Sequence, residues 1–419
     1  AFLCLFAILL SLTMKVEPSG LFCFPLKISF ILFVIPSAAS TDQLIVKYLG
    51  FKTDTLTVTP GKKIFYFMKE NAVESLEEVE LTQRRKAAQK SYIAAQNVMQ
   101  VNSAELLKAA CCNLSESFET NPSIDVNFAD AVSGTRQIKM LGLNSPYILI
   151  TTENVPAIRG ASQAYGLSFI PGTWVESIQI TKGSGSVVNG FESIAGQINA
   201  EMVKPTTDDP LFVNAFAGAN GRLELNTHIN QQVSDKWCTG LYLHGNLRNQ
   251  EFDNNDDSFL DIPLKEQINI MNRWQYTNGE KGVVSFINLR YLNDNTQSGQ
   301  LDFDPDRDRG TTNFWGSEIG TERFEVTTKL GYVNPEIPYQ SLGFQTAFSH
   351  HKQESYFGLN TYDIRHNSFY SNLVYNSIIS DSRHKVKTGV SFTFDHYDEL
   401  VNTDAYERTE NSVGAFFEY

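Results

Sequence analysis

Cysteine is scarce in this sequence, which argues against a fold held together by disulfides. The five cysteines among 419 residues are Cys4, Cys23, Cys111, Cys112 and Cys238. Their spacing forms no disulfide framework. The adjacent pair has neither a neighbouring histidine nor a second pair, so we interpret it as structural rather than as a metal site.

Basic residues are also in deficit. Lys and Arg number 34 against 47 Asp and Glu, which gives a net charge of -13 and a pI near 5.1. Nucleic-acid-binding proteins usually need a basic surface that displaces the counterions of the phosphates. We therefore expect no nucleic-acid partner.

Long hydrophobic runs are missing as well. A membrane-spanning helix needs about 20 apolar residues, and the apolar stretches 1–13 and 21–35 are shorter. Lys27 precedes the core of the second stretch, and residues 37–39 are the small residues typical of a signal-peptidase site. Residues 1–39 are predicted to be a secretory leader, with translation starting at Met14 or upstream of Ala1.

From Leu211 onward the sequence alternates polar and apolar residues. In residues 222–230 one face carries Leu223, Leu225, Thr227 and Ile229, and the other carries Arg222, Glu224, Asn226, His228 and Asn230. The two faces must meet different solvents. About ten such segments approach the roughly 9 to 11 residues of a tilted membrane strand. We predict a mainly β protein in which residues 211–419 form an incomplete antiparallel transmembrane β-barrel.

The connections between these segments support a barrel. Short turns at 233–236 and 278–280 alternate with long polar loops at 249–264 and 293–320, as in outer-membrane barrels. A soluble β-sandwich also alternates, but its strands average about five or six residues. The sandwich is the alternative fold.

Three further segments precede the alternating region. Residues 41–70 contain short alternating strands, and residues 44–53 resemble the closing strands of a carboxypeptidase-regulatory-like domain, of which 41–70 would be a β-sandwich remnant. Residues 71–90 are polar and charged and are predicted to be a linker. Residues 91–206 are predicted to be an α/β domain with a helix capped by Ser103.

The most specific motif lies within residues 129–205. It runs through 129–138, 158–160 and 174–199 and ends at Lys204-Pro205. This order of segments resembles the plug domain of TonB-dependent outer-membrane receptors. Its motif residues are Arg159, Gly160, Glu176, Lys182, Gly183, Gly190, Gly196 and Asn199. Glycines 183, 190 and 196 are expected to permit tight turns between short strands.

The resemblance implies a function in import across the outer membrane of a Gram-negative bacterium. Such receptors bind a scarce small ligand, for example a siderophore or metal chelate, and use energy transmitted by the TonB complex of the inner membrane. Outer-membrane lipid would surround the barrel. Because barrels of this family have about 22 strands, we expect the alternating region to cover only part of one. A passive porin or adhesin and a secreted β-sandwich binding protein are the alternative functions.

In this family, TonB pairs with a short segment ahead of the plug, an interaction made by backbone hydrogen bonds of an added strand. The candidate segment is Leu76, Glu77, Glu78, Val79, Glu80 and Leu81. It lies in the predicted linker, and a passive linker strand is the other interpretation.

Two acidic runs and the histidines are the remaining candidates for ligand binding. Oxygen ligands at EF-hand spacing are Asp253, Asn255, Asp257 and Asp261, which suggests Ca²⁺ in the 253–261 loop. Ser258 replaces the turn glycine and Leu264 the bidentate Glu, so a solvated acidic loop is the alternative. A second run is Asp302, Asp304, Asp306 and Asp308, which arginines partly neutralise.

No histidine spacing indicates a metal or haem site. His350 and His351 are adjacent, while His228 and His244 fall on predicted lumen faces, which are polar in barrels anyway. Residues 183–190 lack the GxxxxGK[ST] spacing of a phosphate-binding loop. With no catalytic constellation in the sequence, we predict that the protein is not an enzyme.

Overall fold

The computed structural model describes ten stretches of the chain: residues 8–10, 30–32, 42–46, 53–58, 88–90, 98–102, 113–118, 124–129, 133–190 and 192–419. They fall into two units, residues 1–84 and 85–419.

The first unit contains two pairs of short strands. β1 (Ile8–Leu10) pairs antiparallel with β2 (Phe30–Leu32), and β3 (Asp42–Val46) pairs antiparallel with β4 (Asp54–Val58). Most of the predicted leader, the rest of the predicted sandwich remnant and the candidate TonB segment 76–81 lie outside the described residues. The domain limits given above therefore stay predictions.

A six-stranded sheet begins the second unit, and we call it, with its loops, the plug. Its strands are β5 (Ala88–Lys90), β6 (Val98–Asn102), β9 (Ile148–Thr152), β10 (Val155–Ile158), β11 (Val175–Lys182) and β12 (Gly196–Met202). They are arranged in the order β10-β9-β12-β11-β6-β5, and only β9 and β12 run parallel among them. β12 is buried along nearly its whole length, as expected for a strand covered on both faces.

Smaller elements complete the plug. A hairpin joins β7 (Asp125–Phe128) to β8 (Arg136–Lys139), and α1 (Leu114–Ser117) begins at Asn113, whose side chain accepts from the Glu116 N–H. Short 3-10 helices are Ser145–Tyr147, Gly160–Gln163, Gly166–Phe169, Gly172–Trp174 and Val187–Asn189. The predicted helix after Ser103 falls on residues 103–112, outside the described ones. Within the described residues, no helix is long and apolar enough to cross a membrane.

The plug has an apolar core. Ile178, Ile180 and Ile198 alternate toward it from β11 and β12, and each is at most 1% exposed. Trp174, fully buried, lies immediately before β11. Fully burying one such side chain contributes about 1.5–3 kcal/mol relative to its exposure, so this core contributes strongly to the stability of the plug.

Ten consecutive antiparallel strands form a second sheet, which we call the wall. They are β13 (Leu211–Ala217), β14 (Arg222–Gln232), β15 (Trp237–Arg248), β16 (Leu264–Asn278), β17 (Val283–Gly299), β18 (Gly316–Val333), β19 (Ser341–Phe357), β20 (Asn360–Ile378), β21 (Lys385–Val401) and β22 (Asp404–Glu418). Each strand pairs with its sequence neighbours, and β13 and β22 are the edges of the sheet within the described residues. The predicted antiparallel sheet of about ten strands is confirmed.

Two details of the wall differ from expectation. From β16 onward the strands have 15 to 19 residues, so the predicted length of 9 to 11 is wrong for them. The predicted loop 293–320 shrinks to residues 300–315, because its outer parts continue β17 and β18 in register. Strands of this length extend past the roughly 9 to 11 residues needed to cross the bilayer.

The polar face of the wall is the buried one. In β14, Arg222, Glu224, Asn226 and His228 are at most 7% exposed, whereas Leu223 and Leu225 are more than half exposed. The same holds along β16, where Gln267, Asn269 and Arg273 are buried and Ile268 is exposed. A β-sandwich would bury the apolar rows instead, so that alternative fold is wrong.

The apolar outer face is bounded along the strands. On the side of the two long loops, one register row across β18–β22 is polar and consists of Glu322, Lys352, Arg365, Asp398 and Glu407. Toward the opposite ends the outer face carries Trp237, Trp274, Tyr276, Tyr332 and Tyr375. An apolar band between a charged row and an aromatic girdle is typical of a lipid-facing barrel surface.

We predict that replacing Phe369 with Arg destabilises the protein in lipid. Phe369 lies on the outer face of β20 between Phe348 and Phe394, midway along the apolar band. An Arg near the midplane costs about 2–4 kcal/mol, against about 0–1 kcal/mol near the interface. Urea unfolding in lipid vesicles should show this loss for Phe369→Arg and little change for Glu407→Arg, in the charged row. Equal effects of both variants would contradict a lipid-facing band.

Candidate functional site

The candidate site is the contact between the plug and the buried face of the wall. Two apolar wall residues, Tyr242 and Met271, join the core of the plug, and the Tyr242 ring lies 6.2 Å from that of Trp174. Around this small apolar patch the contacts are polar, because the inner face of the wall is polar.

Glu153 is the centre of one group of contacts. Its Oε1 accepts from Arg273 Nη2 at 2.5 Å, and both side chains are at most 4% exposed. Lys329 Nζ donates to the Glu153 carbonyl oxygen at 2.8 Å and lies 3.9 Å from Oε2. One plug carboxylate thus meets two wall cations.

A tight turn presents Glu153 to the wall. Glu153 and Asn154 connect β9 to β10 and both have positive φ, 51° and 64°, as the favoured two-residue hairpin turn requires. Asn199 from β12 stabilises this turn, since its Oδ1 accepts from the Asn154 N–H at 2.7 Å and from Thr151 Oγ1 at 2.9 Å. The motif residue Asn199 therefore holds Glu153 in place.

Arg159 and Gly160 make a second group of contacts. Arg159 Nη2 lies 2.8 Å from Glu192 Oε1 in the plug and 3.3 Å from Asp395 Oδ2 in the wall. Gly160 has φ +57°, and a Cβ there would lie 2.6 Å from His366 Cε1 and from the Tyr397 hydroxyl. Glycine is thus required both by the backbone conformation and by the close approach of the wall.

His366 belongs to the same contact. Its Nε2 lies 3.0 Å from Asp395 Oδ1, and its ring stacks on Tyr397 with centroids 4.2 Å apart. His366 and Asp395 are buried. The wall therefore meets Gly160 with a rigid surface.

A third group uses carbonyl oxygens of the plug as acceptors. Phe169 O accepts from Asn269 Nδ2 at 2.6 Å and from Arg290 Nη2 at 2.5 Å, and Ala157 O accepts from Arg323 Nη2 at 3.3 Å. Hydrogen bonds from charged donors are stronger than neutral ones, so these contacts fix the position of the plug along the strands of the wall.

Other motif residues lie away from the wall contact. Glu176 is exposed and pairs at 3.6 Å with Lys204, and Lys182 is exposed at the end of β11. Gly183 and Gly190 have positive φ, +85° and +101°, as the expected turns require.

Gly196 differs from the expectation of a turn. It is the first residue of β12, and a Cβ there would lie 2.8 Å from the Thr181 carbonyl oxygen and closer still to Met140. Close packing, not turn formation, therefore requires glycine at this position.

The two acidic runs behave as structured loops. In the first, Asp253 accepts from the N–H groups of Asp257 and Ser258, and Asp261 accepts from Asn254. The predicted Ca²⁺ ligands are thus engaged in turn hydrogen bonds, and calcium binding stays a prediction.

In the second run, Asp304 caps α2 (Pro305–Asp308). The hydrogen-bonded guanidinium of Arg307 holds the pKa of Asp308 below its usual range. This agrees with a charged loop that is neutralised internally.

His228 and His244 occupy buried polar positions on the inner face of the wall, as predicted. His228 Nδ1 lies 3.0 Å from Asp208 Oδ2, and His244 Nδ1 lies 2.7 Å from Asn226 Oδ1. A group with potential metal-ligand geometry among the described residues is His396, Asp398 and Glu407, on the outer face of β21 and β22.

Sequence reasoning missed the residues of the wall that hold the plug. Arg273, Arg290, Arg323, Lys329 and Asp395 are charged residues on the buried face of their strands. Their signal in the sequence is a charge at a lumen-facing position of an alternating segment. That signal does not identify their partners, which lie far away along the chain.

Comparison with known proteins agrees with a structure made of a plug and a wall. Residues 91–197 match the family model of the TonB-dependent receptor plug domain. Over 128 residues, 30% of this chain and 21% of the relative, the sequence is 26% identical to the vitamin B12 transporter BtuB of Vibrio vulnificus (strain CMCP6).

Solved structures share the fold at low identity. The alcaligin outer-membrane receptor FauA from Bordetella pertussis has a TM-score of 0.62 at 10% identity, covering 79% of this chain and 55% of that one. The copper transporter OprC has a TM-score of 0.60 at 12% identity, and the match covers 80% of this chain and 52% of that one. The unliganded ferric citrate transporter FecA has a TM-score of 0.57 at 12% identity, and the match covers 80% of this chain and 57% of that one. The chain spans about half the length of these structures.

We predict that Glu153→Gln loosens the plug. The change leaves the buried Arg273 without its counter-charge, and breaking a buried pair costs about 3–5 kcal/mol. Hydrogen exchange of the β9 and β10 amides should accelerate by roughly a hundredfold or more, provided that they exchange through release of the plug. The control Glu176→Gln removes an exposed pair worth about 0–1 kcal/mol. Similar exchange in both variants would show that Glu153 does not hold the plug.

Proposed function

We propose, from the premise that this chain belongs to the TonB-dependent outer-membrane receptors, that the protein imports a scarce small ligand with energy transmitted from the inner membrane. The observation that carries the proposal is a folded plug held by polar contacts against the inner face of a lipid-facing wall. Transport past such a plug requires that it move or rearrange.

The nature of the contact supports a movable plug. Its own core is apolar, while its contact with the wall consists mainly of ion pairs and hydrogen bonds, such as Arg273 with Glu153 and Arg290 with Phe169 O. Replacing a buried pair by apolar residues is often neutral or stabilising, so such pairs are weak evidence for a permanent joint. Once water enters, both partners can be solvated again.

The ligand class is proposed from the relatives. Their names describe transport or reception of vitamin B12, alcaligin, copper and ferric citrate. We propose a siderophore, metal chelate or similar ligand, because specificity within one fold resides in loops that vary with substrate. A passive porin is the rival function, and it has no need of the plug.

Coupling to TonB is proposed for residues 76–81, just ahead of the plug. The segment alternates Val79 and Leu81 with glutamates, a pattern that suits an added strand whose affinity comes from backbone hydrogen bonds. Pairing of this kind depends on the backbone N–H groups rather than on the side chains.

We predict that Val79→Pro abolishes energised uptake, because proline removes a backbone N–H and is poorly tolerated in a paired strand. Uptake of labelled siderophores, cobalamin and copper or iron chelates would be measured in starved cells that express the full-length protein. The variant should match a strain without TonB, whereas Val79→Thr, which keeps the N–H, should transport normally.

The outcomes separate the two functions. Ligand binding at the cell surface should survive in Val79→Pro, since only coupling is lost. Uptake that persists both in this variant and without TonB would establish a passive channel and overturn the proposal. Uptake that is lost without TonB but intact in Val79→Pro would show that TonB couples through a segment other than residues 76–81.

A further inference from the structure

A small cavity of about 70 Å³ lies between the plug and strands β16–β20 of the wall. The charged residues that line it are Glu153, Arg159, Arg290, Arg323, Glu325 and Lys329. Four are cations and two are carboxylates, while Arg159 also pairs with Glu192 and Asp395 outside the lining. The lining itself is thus richer in cations than in carboxylates, and both the plug and the wall contribute to it.

The carboxylates of this lining are already occupied by other groups. Glu325 Oε2 accepts from Arg290 Nη1 at 2.9 Å, and Glu325 Oε1 accepts from Arg323 Nε at 2.8 Å. Glu153 is engaged by Arg273 and Lys329. Neither carboxylate has an oxygen without an ionic neighbour that could serve the remaining donors.

Several donors at the cavity are left without a partner. Arg159 Nε and Nη1, Arg323 Nη1 and the Tyr370 hydroxyl are buried and make no hydrogen bond, and all three residues line the cavity. Arg323 is 5% exposed and Tyr370 is 6% exposed. An unsatisfied buried polar group costs about 1–3 kcal/mol, and more when charged. In a native protein such a group calls for a partner, for example an ordered water or a bound ion.

Acceptors at the cavity are much rarer than donors. Among the described residues, the unpartnered buried side-chain acceptor in its lining is Asn288 Oδ1, besides the Tyr370 oxygen itself. A water molecule satisfies donors only by its lone pairs and must find acceptors for its own hydrogens. An anion accepts from every side and also compensates the positive charge.

We propose that this cavity binds a small inorganic anion of the chloride class, held between Arg159 of the plug and Arg323 of the wall. A halide fits the cavity of about 70 Å³, because a single water needs roughly 10–15 Å³ of such volume. The anion supplies an acceptor to the unpartnered N–H groups of both arginines, in addition to the carboxylates that each already contacts.

The site is independent of the proposed transport function, since it follows from charge and hydrogen bonding alone. Its test is direct detection of the ion. Crystals of the full-length protein would be grown in sodium gluconate and then equilibrated with sodium bromide, whose anomalous scattering distinguishes bromide from water.

In the wild type we expect an anomalous peak between Arg159 and Arg323. Arg323→Gln should weaken bromide binding by about ten- to a hundredfold, the loss expected for a charged hydrogen bond. Tyr370→Phe, which keeps the charge, should weaken it by about three- to tenfold. Arg383→Gln, which changes an exposed arginine in the turn after β20, should leave the peak unchanged.

A solution measurement distinguishes a specific site from general salt binding. Chloride should raise the unfolding temperature of the wild type and of Arg383→Gln beyond gluconate at equal ionic strength, and this difference should shrink in Tyr370→Phe. Tyr370→Phe is the decisive variant if Arg323→Gln does not fold. Density without anomalous signal at saturating bromide would show water alone and overturn the proposal, as would a peak that persists undiminished in both variants.

Discussion

The structure depends on the constraint that alternate residues of each wall strand meet different solvents. The row that faces outward is apolar, so the row that faces inward is polar and needs partners within the protein. Arg273, which is completely buried, shows the consequence. It is tolerable only because Glu153 of the plug lies 2.5 Å away, since an isolated buried charge would be very costly. The plug and the wall therefore complete each other electrostatically.

The same constraint gives the plug two kinds of surface. Its interior is an apolar core that includes Ile178, Ile198 and Trp174. Close packing of such a core favours one packed state. Toward the wall it presents turns, carbonyl oxygens and charged groups, with Tyr242 and Met271 as a small apolar exception. Apolar burial resists the entry of water, whereas polar contacts can exchange with it. The joint between plug and wall is thus the part of the structure best suited to open.

The sequence predicted the wall and the plug for different reasons. Alternation alone predicted the strands of the wall, because a lipid-facing sheet cannot avoid that pattern, and the plug was predicted from a motif. Strand ends were harder: residues 293–299 continue β17 beyond the apolar band, where polar residues lie on both faces and the pattern resembles a loop. The pairing of Glu153 with Arg273 could not be predicted either, because 120 residues separate them and a positive φ aims Glu153 at the wall.

A rule of sign also runs through the contact. The wall supplies cations and the plug supplies acceptors at Glu153, Ala157 O and Phe169 O. Arg159 reverses the rule, because here the plug supplies the cation and the wall the carboxylate of Asp395. Arg159 of the plug and Arg323 of the wall line the same cavity. In that lining the unpartnered buried donors outnumber the unpartnered buried acceptors. The donors lack partners because cations from the plug and from the wall come together at this cavity. The proposed anion would accept hydrogen bonds from both of them.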